Sequence, residues 1–246
     1  MAAARAEDRV HPLVPPLALA VITLIGAAVV IVAGHPETRP KTTTTTAVPH
    51  PVGRYGGGKT SPRGRRRAVR PVKAPLWVSQ ELGRVDPSAP LVRKVGGSLR
   101  VTLTRRGFVL EYRGALLARY DTRLGRVGRV VRHRFGLERS FRRAIDATVV
   151  RGSVTSSYLV VGRHRGLHTW TWRLQTNLRP RVRADGALLL EGTDSLLVLP
   201  PRIYDRTGRN VTPRRLRWRL RGAGNAFVLS VQLDDGRLSI PYVISG

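Results

Sequence analysis

Near the C-terminus, Arg214-Arg-Leu216-Arg-Trp218-Arg-Leu220-Arg221 alternates guanidinium and apolar side chains. Successive residues of an extended strand point to opposite faces. The spacing therefore puts Leu216, Trp218 and Leu220 on one side and Arg215, Arg217, Arg219 and Arg221 on the other. Arginines in such a row stand about 6.8 Å apart. Their planar forks suit phosphate and carboxylate oxygens, so the row reads as a ridge for polyanions. The same pattern also fits an edge strand whose charges keep other sheets from pairing with it. A second basic cluster, Arg63-Gly-Arg65-Arg66-Arg67-Ala-Val-Arg70-Pro-Val-Lys73, carries six positive charges in eleven residues. It would suit nucleic acid, lipid head groups or an anionic wall polymer, and it also fits a plain solvated charge run.

Other candidates for chemistry are weaker. His164 and His168 are four apart, a metal-ligand spacing only on a helix, and Arg165-Gly166-Leu167 between them reads as a loop entering a strand. Asp234-Asp235 precedes Gly236, which points to a turn rather than to acid–base catalysis. Asp205-Arg-Thr-Gly-Arg-Asn210 lacks the alternating oxygen ligands and closing glutamate of a calcium loop. Ser98, Ser140, Ser195 and Ser230 have no strand–turn–helix elbow around them. Gly56-Gly-Gly58-Lys59-Thr60 ends like a phosphate-binding loop but lacks its spacing. With no cysteine, thiolate chemistry, disulfides and Cys-ligated metals are excluded. The expectation is a protein with no catalytic residues, no metal and no cofactor.

The elements that must position these residues divide the chain in four. Residues 1–11 read as a short cytoplasmic tail. Residues 17–34, LALAVITLIGAAVVIVAG, carry no charge over eighteen positions. A span needs about 20 helical residues, with a lower limit near 17. Residues 12–34 are therefore expected to form one transmembrane helix, with the bulk of the chain outside. The alternative is a signal peptide cleaved near Gly34, although its apolar region is usually about 7–15 residues long. Residues 35–75 have five consecutive threonines, Thr42 to Thr46, with prolines, three glycines in a row and no apolar periodicity. Such a segment is expected to be a disordered stalk.

From residue 76 to residue 246 turn signals recur every eight to twelve residues, and short alternating runs lie between them. Leu99-Arg-Val101-Thr-Leu103 and Trp170-Thr-Trp172-Arg-Leu174 are examples. Residues 227–233 and 237–240 flank Asp235-Gly236, which predicts a hairpin. No helical stripe is evident. The expected fold is all-β, a β-sandwich-like body or a pair of small packed sheets. This part holds 32 basic and 12 acidic residues, a net charge of +20. Across the whole chain 44 basic residues face 15 acidic ones. Forty of the basic residues are arginine, a bias that weakens arguments from arginine clustering alone.

Several phrases carry a resemblance: Phe135-Gly-Leu-Glu138-Arg-Ser-Phe141, Trp170-Thr-Trp-Arg-Leu174, Leu178-Arg-Pro-Arg-Val-Arg-Ala-Asp-Gly186, Tyr204-Asp-Arg-Thr-Gly208 and Leu238-Ser-Ile-Pro-Tyr-Val-Ile244. Over roughly residues 130–244 the chain resembles the N-terminal β-rich modules of large secreted or surface bacterial repeat proteins of actinobacterial type. The resemblance implies an exported, non-enzymatic β-sandwich-like module, and it assigns no catalytic residue. The expected function is a membrane-anchored, extracytoplasmic binding or structural protein. Its basic surface would meet anionic wall polymers, lipid head groups or a protein partner. The alternative is a membrane-tethered binder of nucleic acid or other polyanions.

Overall fold

The computed structural model describes residues 29–33, 71–95 and 97–246. Along the chain come β1 (Val29–Ala33), a short helix α1 (Leu76–Leu82), β2 (Val92–Lys94), β3 (Leu99–Leu103), β4 (Gly107–Tyr112) and β5 (Ala115–Thr122). Then follow β6 (Val130–His133), β7 (Gly136–Ser140), β8 (Ala144–Arg151), β9 (Val154–Val161) and β10 (Leu167–Thr176). β11 (Arg179–Val182), β12 (Leu188–Glu191) and β13 (Asp194–Val198) lead to β14 (Arg202–Tyr204), β15 (Arg219–Ala223), β16 (Ala226–Asp234) and β17 (Tyr242–Ser245).

The strands form three antiparallel sheets. Seven strands run in the order β15-β16-β10-β5-β4-β3-β2, six in the order β14-β17-β9-β8-β7-β6, and four in the order β1-β13-β12-β11. The all-β expectation holds. Alternation does the work in the seven-stranded sheet. Val101, Leu110, Leu174, Leu229 and Val231 point inward from it and share one buried cluster with Leu137, Leu159, Val161 and Ile244 of the six-stranded sheet. Leu188, Leu190 and Leu196 of the four-stranded sheet join that cluster. Each such side chain contributes about 1.5–3 kcal/mol by leaving water.

The six-stranded sheet is also covered on its other face. Ile145, Ala147, Val149, Tyr158, Val160 and Val243 pack with Val78 and Leu82 of α1 and with Val72 ahead of it. Burial on both faces gives β8 and β9 unbroken runs of buried residues, with the polar Asp146, Thr148, Thr155, Ser156 and Ser157 among them. Helix α1 spans only seven residues and ends where Gly83 takes a positive φ of 74°. Two turns are too short to show a 3.6-residue stripe, so the sequence gives no hint of it.

The structure corrects three expectations. Val29–Ala33 is not helical. It pairs antiparallel with β13, from Val29 opposite Val198 to Ala33 opposite Asp194. Four consecutive β-branched residues, Val-Val-Ile-Val, favour a strand. The rest of the apolar run and the segment from residue 34 to residue 70 lie outside the described residues. Among the described residues no helix is long and apolar enough to cross a membrane. Second, residues 71–75 belong to the folded body: Val72 and Ala74 pack on the outer cluster. Third, residues 237–240 do not return as a hairpin strand. β16 pairs with β10 and β15, and β17 joins the other sheet. Asp235 is drawn inward at that point, which turns the chain away from β16.

Candidate anion-binding groove

Of the arginines singled out from sequence, Arg65, Arg66 and Arg67 lie outside the described residues. Arg215, Arg217, Arg219 and Arg221 are all exposed, while Trp218 is only 2% exposed and Leu216 and Leu220 are half-buried. The in-and-out pattern is therefore real, but the strand is shorter than expected. Only Arg219 and Arg221 lie on β15; Arg215 sits in a turn and Arg217 in irregular chain near Gly186. The turn is closed by a hydrogen bond from the Leu216 amide to the Pro213 carbonyl. The expected row of four thus becomes a row of two at the edge of the seven-stranded sheet.

Strand order supplies what local sequence could not. Arg221 on β15 pairs with Val228 on β16, Val228 with Arg173 on β10, and Arg173 with Asp121 on β5. Arg119 lies one outward position further along β5. Adjacent strands lie about 4.8 Å apart, so these guanidiniums are within reach of one bound chain. Together with Arg106 and Arg123 they line a groove of about 620 Å³ on the outward face of this sheet. Asp121 is the carboxylate among the described lining residues, and Arg119 Nε donates to its Oδ2 at 2.9 Å. Arg106, Arg123, Arg173 and Arg221 form no ion pair among the described residues. The groove thus presents four uncompensated charges, an arrangement that favours an anion.

Arg106, Arg119, Arg123 and Arg173 were not legible as a group. Arg173 stands between Trp172 and Leu174 in a clearly alternating run, which marks it as outward. Its nearness to Arg221 depends on which strands become neighbours.

Most buried ionisable groups hold the fold rather than line the groove. Arg139 and Asp146, neighbours on β7 and β8, form an ion pair of 2.9 Å and are 0% and 1% exposed. Asp235 is fully buried. Its carboxylate accepts the Arg165 amide at 2.9 and 3.0 Å, the Gly166 amide at 2.7 Å and the Tyr242 hydroxyl at 2.8 Å. The expected turn at Asp235-Gly236 is present, closed by the Leu238 amide on the Asp235 carbonyl, but Asp235 itself clamps a distant loop. Replacing it with alanine orphans three donors, and the expected loss is about 3 kcal/mol of folding stability. Chemical denaturation of Asp235→Ala tests this; a loss below about 1 kcal/mol would refute the clamp.

Asp205 fastens its own turn. Its Oδ1 accepts from the Thr207 hydroxyl at 2.6 Å and from the Thr207 and Arg209 amides at 2.8 and 3.0 Å. The Thr207 hydroxyl, more than any other group, holds its carboxyl below the usual aspartate range. His168 stacks edge-on against Trp170 at 4.6 Å, and burial, then Arg165, keep its imidazole below the usual value. Among the described residues no cluster of three His, Cys, Asp or Glu could hold a metal ion. Comparison of the chain with protein-family models, with curated proteins and with solved structures finds no match in any of the three.

Proposed function

We propose that this protein is a non-catalytic, sandwich-like binder of polyanions and that the arginine groove on the seven-stranded sheet is its contact surface. The observation that carries the reading is the convergence of Arg106, Arg119, Arg123, Arg173 and Arg221 around one carboxylate that is already paired. Phe227, the aromatic among the lining residues, is buried in the core cluster. Stacking sheets that bind single-stranded nucleic acid carry outward aromatics. Recognition here is therefore of charge density, shared by wall polymers, head groups and nucleic acid alike.

Export is part of the same proposal. Because β1 pairs with β13, cleavage near Gly34 would remove a strand of the folded body, so the apolar residues ahead of β1 would stay attached as the export segment.

Binding of a labelled DNA duplex and of poly(glycerol phosphate) to the 246-residue chain, followed against salt, tests the groove. Each phosphate neutralised on duplex DNA contributes a slope of about −0.9. Arg173→Ala with Arg221→Ala should lower the slope by about 2 and weaken both ligands at least tenfold. Unchanged slopes, or no binding at physiological salt, would overturn the proposal.

A further inference from the structure

We propose a second anion site, separate from the groove, formed by Arg142, Arg143, Arg163 and Arg165 and fitted to a phosphate-type oxyanion. The turn between β7 and β8 carries the first pair, and the loop between β9 and β10 carries the second. Ala144 pairs with Val161 across β8 and β9, which sets the turn and the loop side by side. The Gly162 amide donates to the Arg143 carbonyl at 3.3 Å. Along β10, Gly166 lies seven residues from Arg173, about 23 Å away, so this cluster and the groove are distinct.

The loop is held before any ligand arrives. The Asp235 carboxylate takes the Arg165 and Gly166 amides, and His164 Nδ1 lies 2.8 Å from the Asp235 carbonyl oxygen. The Arg165 guanidinium lies over the Trp170 ring at 5.5 Å. The Asp235 carboxylate accepts from those amides and from Tyr242, and among the described residues it forms no ion pair with any of the four arginines. Arg143 Nε is buried and has no hydrogen-bond partner among the described residues. The Arg163 guanidinium, then burial, Arg142 and Arg165, hold the Arg143 guanidinium below its usual pKa. Among the described residues no carboxylate is one of the groups acting on it. Like charges gathered on a fixed frame are unfavourable when empty and favourable around an oxyanion that several forks can share.

Two readouts test the site on the 246-residue chain at pH 8. Inorganic phosphate should raise the melting temperature more than sodium chloride at equal ionic strength. Arg143→Gln should abolish that difference and weaken phosphate at least tenfold in calorimetric titration. Without phosphate and at low salt, the same variant should melt above the parent, because repulsion is relieved. Arg163→Gln, at an exposed position, gives a second test that does not disturb the buried Nε. Arg173→Gln in the groove should leave the phosphate response intact. Saturation by inorganic phosphate as tight as by polyphosphate supports a site for the free anion; tighter binding of polyphosphate supports one for chain-borne phosphate. Equal responses to phosphate and chloride would overturn the proposal, as would a response that survives Arg143→Gln and Arg163→Gln. Loss in Arg173→Gln would assign the effect to the groove instead.

Discussion

Replacing Arg139 with methionine is expected to remove about 3–5 kcal/mol of folding stability. Arg139 projects from the six-stranded sheet into the space shared with the seven-stranded one. Its Nε donates to the Thr104 carbonyl at 2.8 Å, and one terminal nitrogen donates to the Gly107 carbonyl. The other donates to Asp146 Oδ2 and to the Thr148 hydroxyl, both at 2.9 Å. Methionine fills much of the volume but takes the cation from a buried carboxylate and the donor from the Thr104 carbonyl, while the Gly107 carbonyl keeps the Thr104 amide at 2.9 Å. Burial already pushes the Asp146 carboxyl above the usual aspartate range, with Arg139 opposing that rise. Asp146→Leu added to Arg139→Met should recover a large part of the loss, since a matched apolar pair often equals a buried ion pair. Urea titration of the two single variants and the double variant measures the coupling. A loss under about 1 kcal/mol for Arg139→Met would show that the clamp contributes little.

Raising the pH above 10 is expected to destabilise the protein steeply, well before any guanidinium loses its proton. Burial pushes the Tyr158 hydroxyl from 10.0 up to about 12. Tyr120 and Tyr242 are also raised by burial, Tyr120 further by the charge of Asp146 and Tyr242 further by donating to Asp235. A folded-state pKa above the unfolded value means that the native protein binds more protons in that window. The stability is fully present below pH 10 and is lost as pH rises through the folded values. For Tyr158 alone the loss by pH 12 is about 2 kcal/mol. Urea midpoints at pH 9, 10 and 11, read beside phenolate absorbance, follow the effect. Tyr158→Phe should flatten part of the slope. A midpoint constant to pH 11 would contradict the burial of these hydroxyls.

The strand-rich character was legible because Leu99-Arg-Val101-Thr-Leu103 and Trp170-Thr-Trp172-Arg-Leu174 alternate, and both became strands with one buried face. Residues 214–221 alternate as well, yet only Arg219–Ala223 is a strand. Alternation reports which side chains are inside, not whether the backbone finds a hydrogen-bonding neighbour. Asp235 shows a different limit. A carboxylate before glycine looks like a turn, and nothing nearby announces the amides of Arg165 and Gly166, seventy residues earlier. The apolar run around Val29–Ala33 was read by length, which favours a membrane helix, whereas its β-branched content suits the strand it forms on β13. The groove was half legible: Arg221 was picked out by its own strand, and its companions became companions only through strand order.

Coverage of one sheet on both faces and the other on one has a consequence for how this protein can diverge. Along β8 and β9 a new polar side chain needs a built partner whichever way it points, as Asp146 and Thr148 have in Arg139. Along β5, β10 and β15 every second residue can change sign or size while its neighbours go on filling the interior. Ligand preference can therefore drift through descendants by exchanges at alternate positions, and the architecture beneath is inherited unchanged.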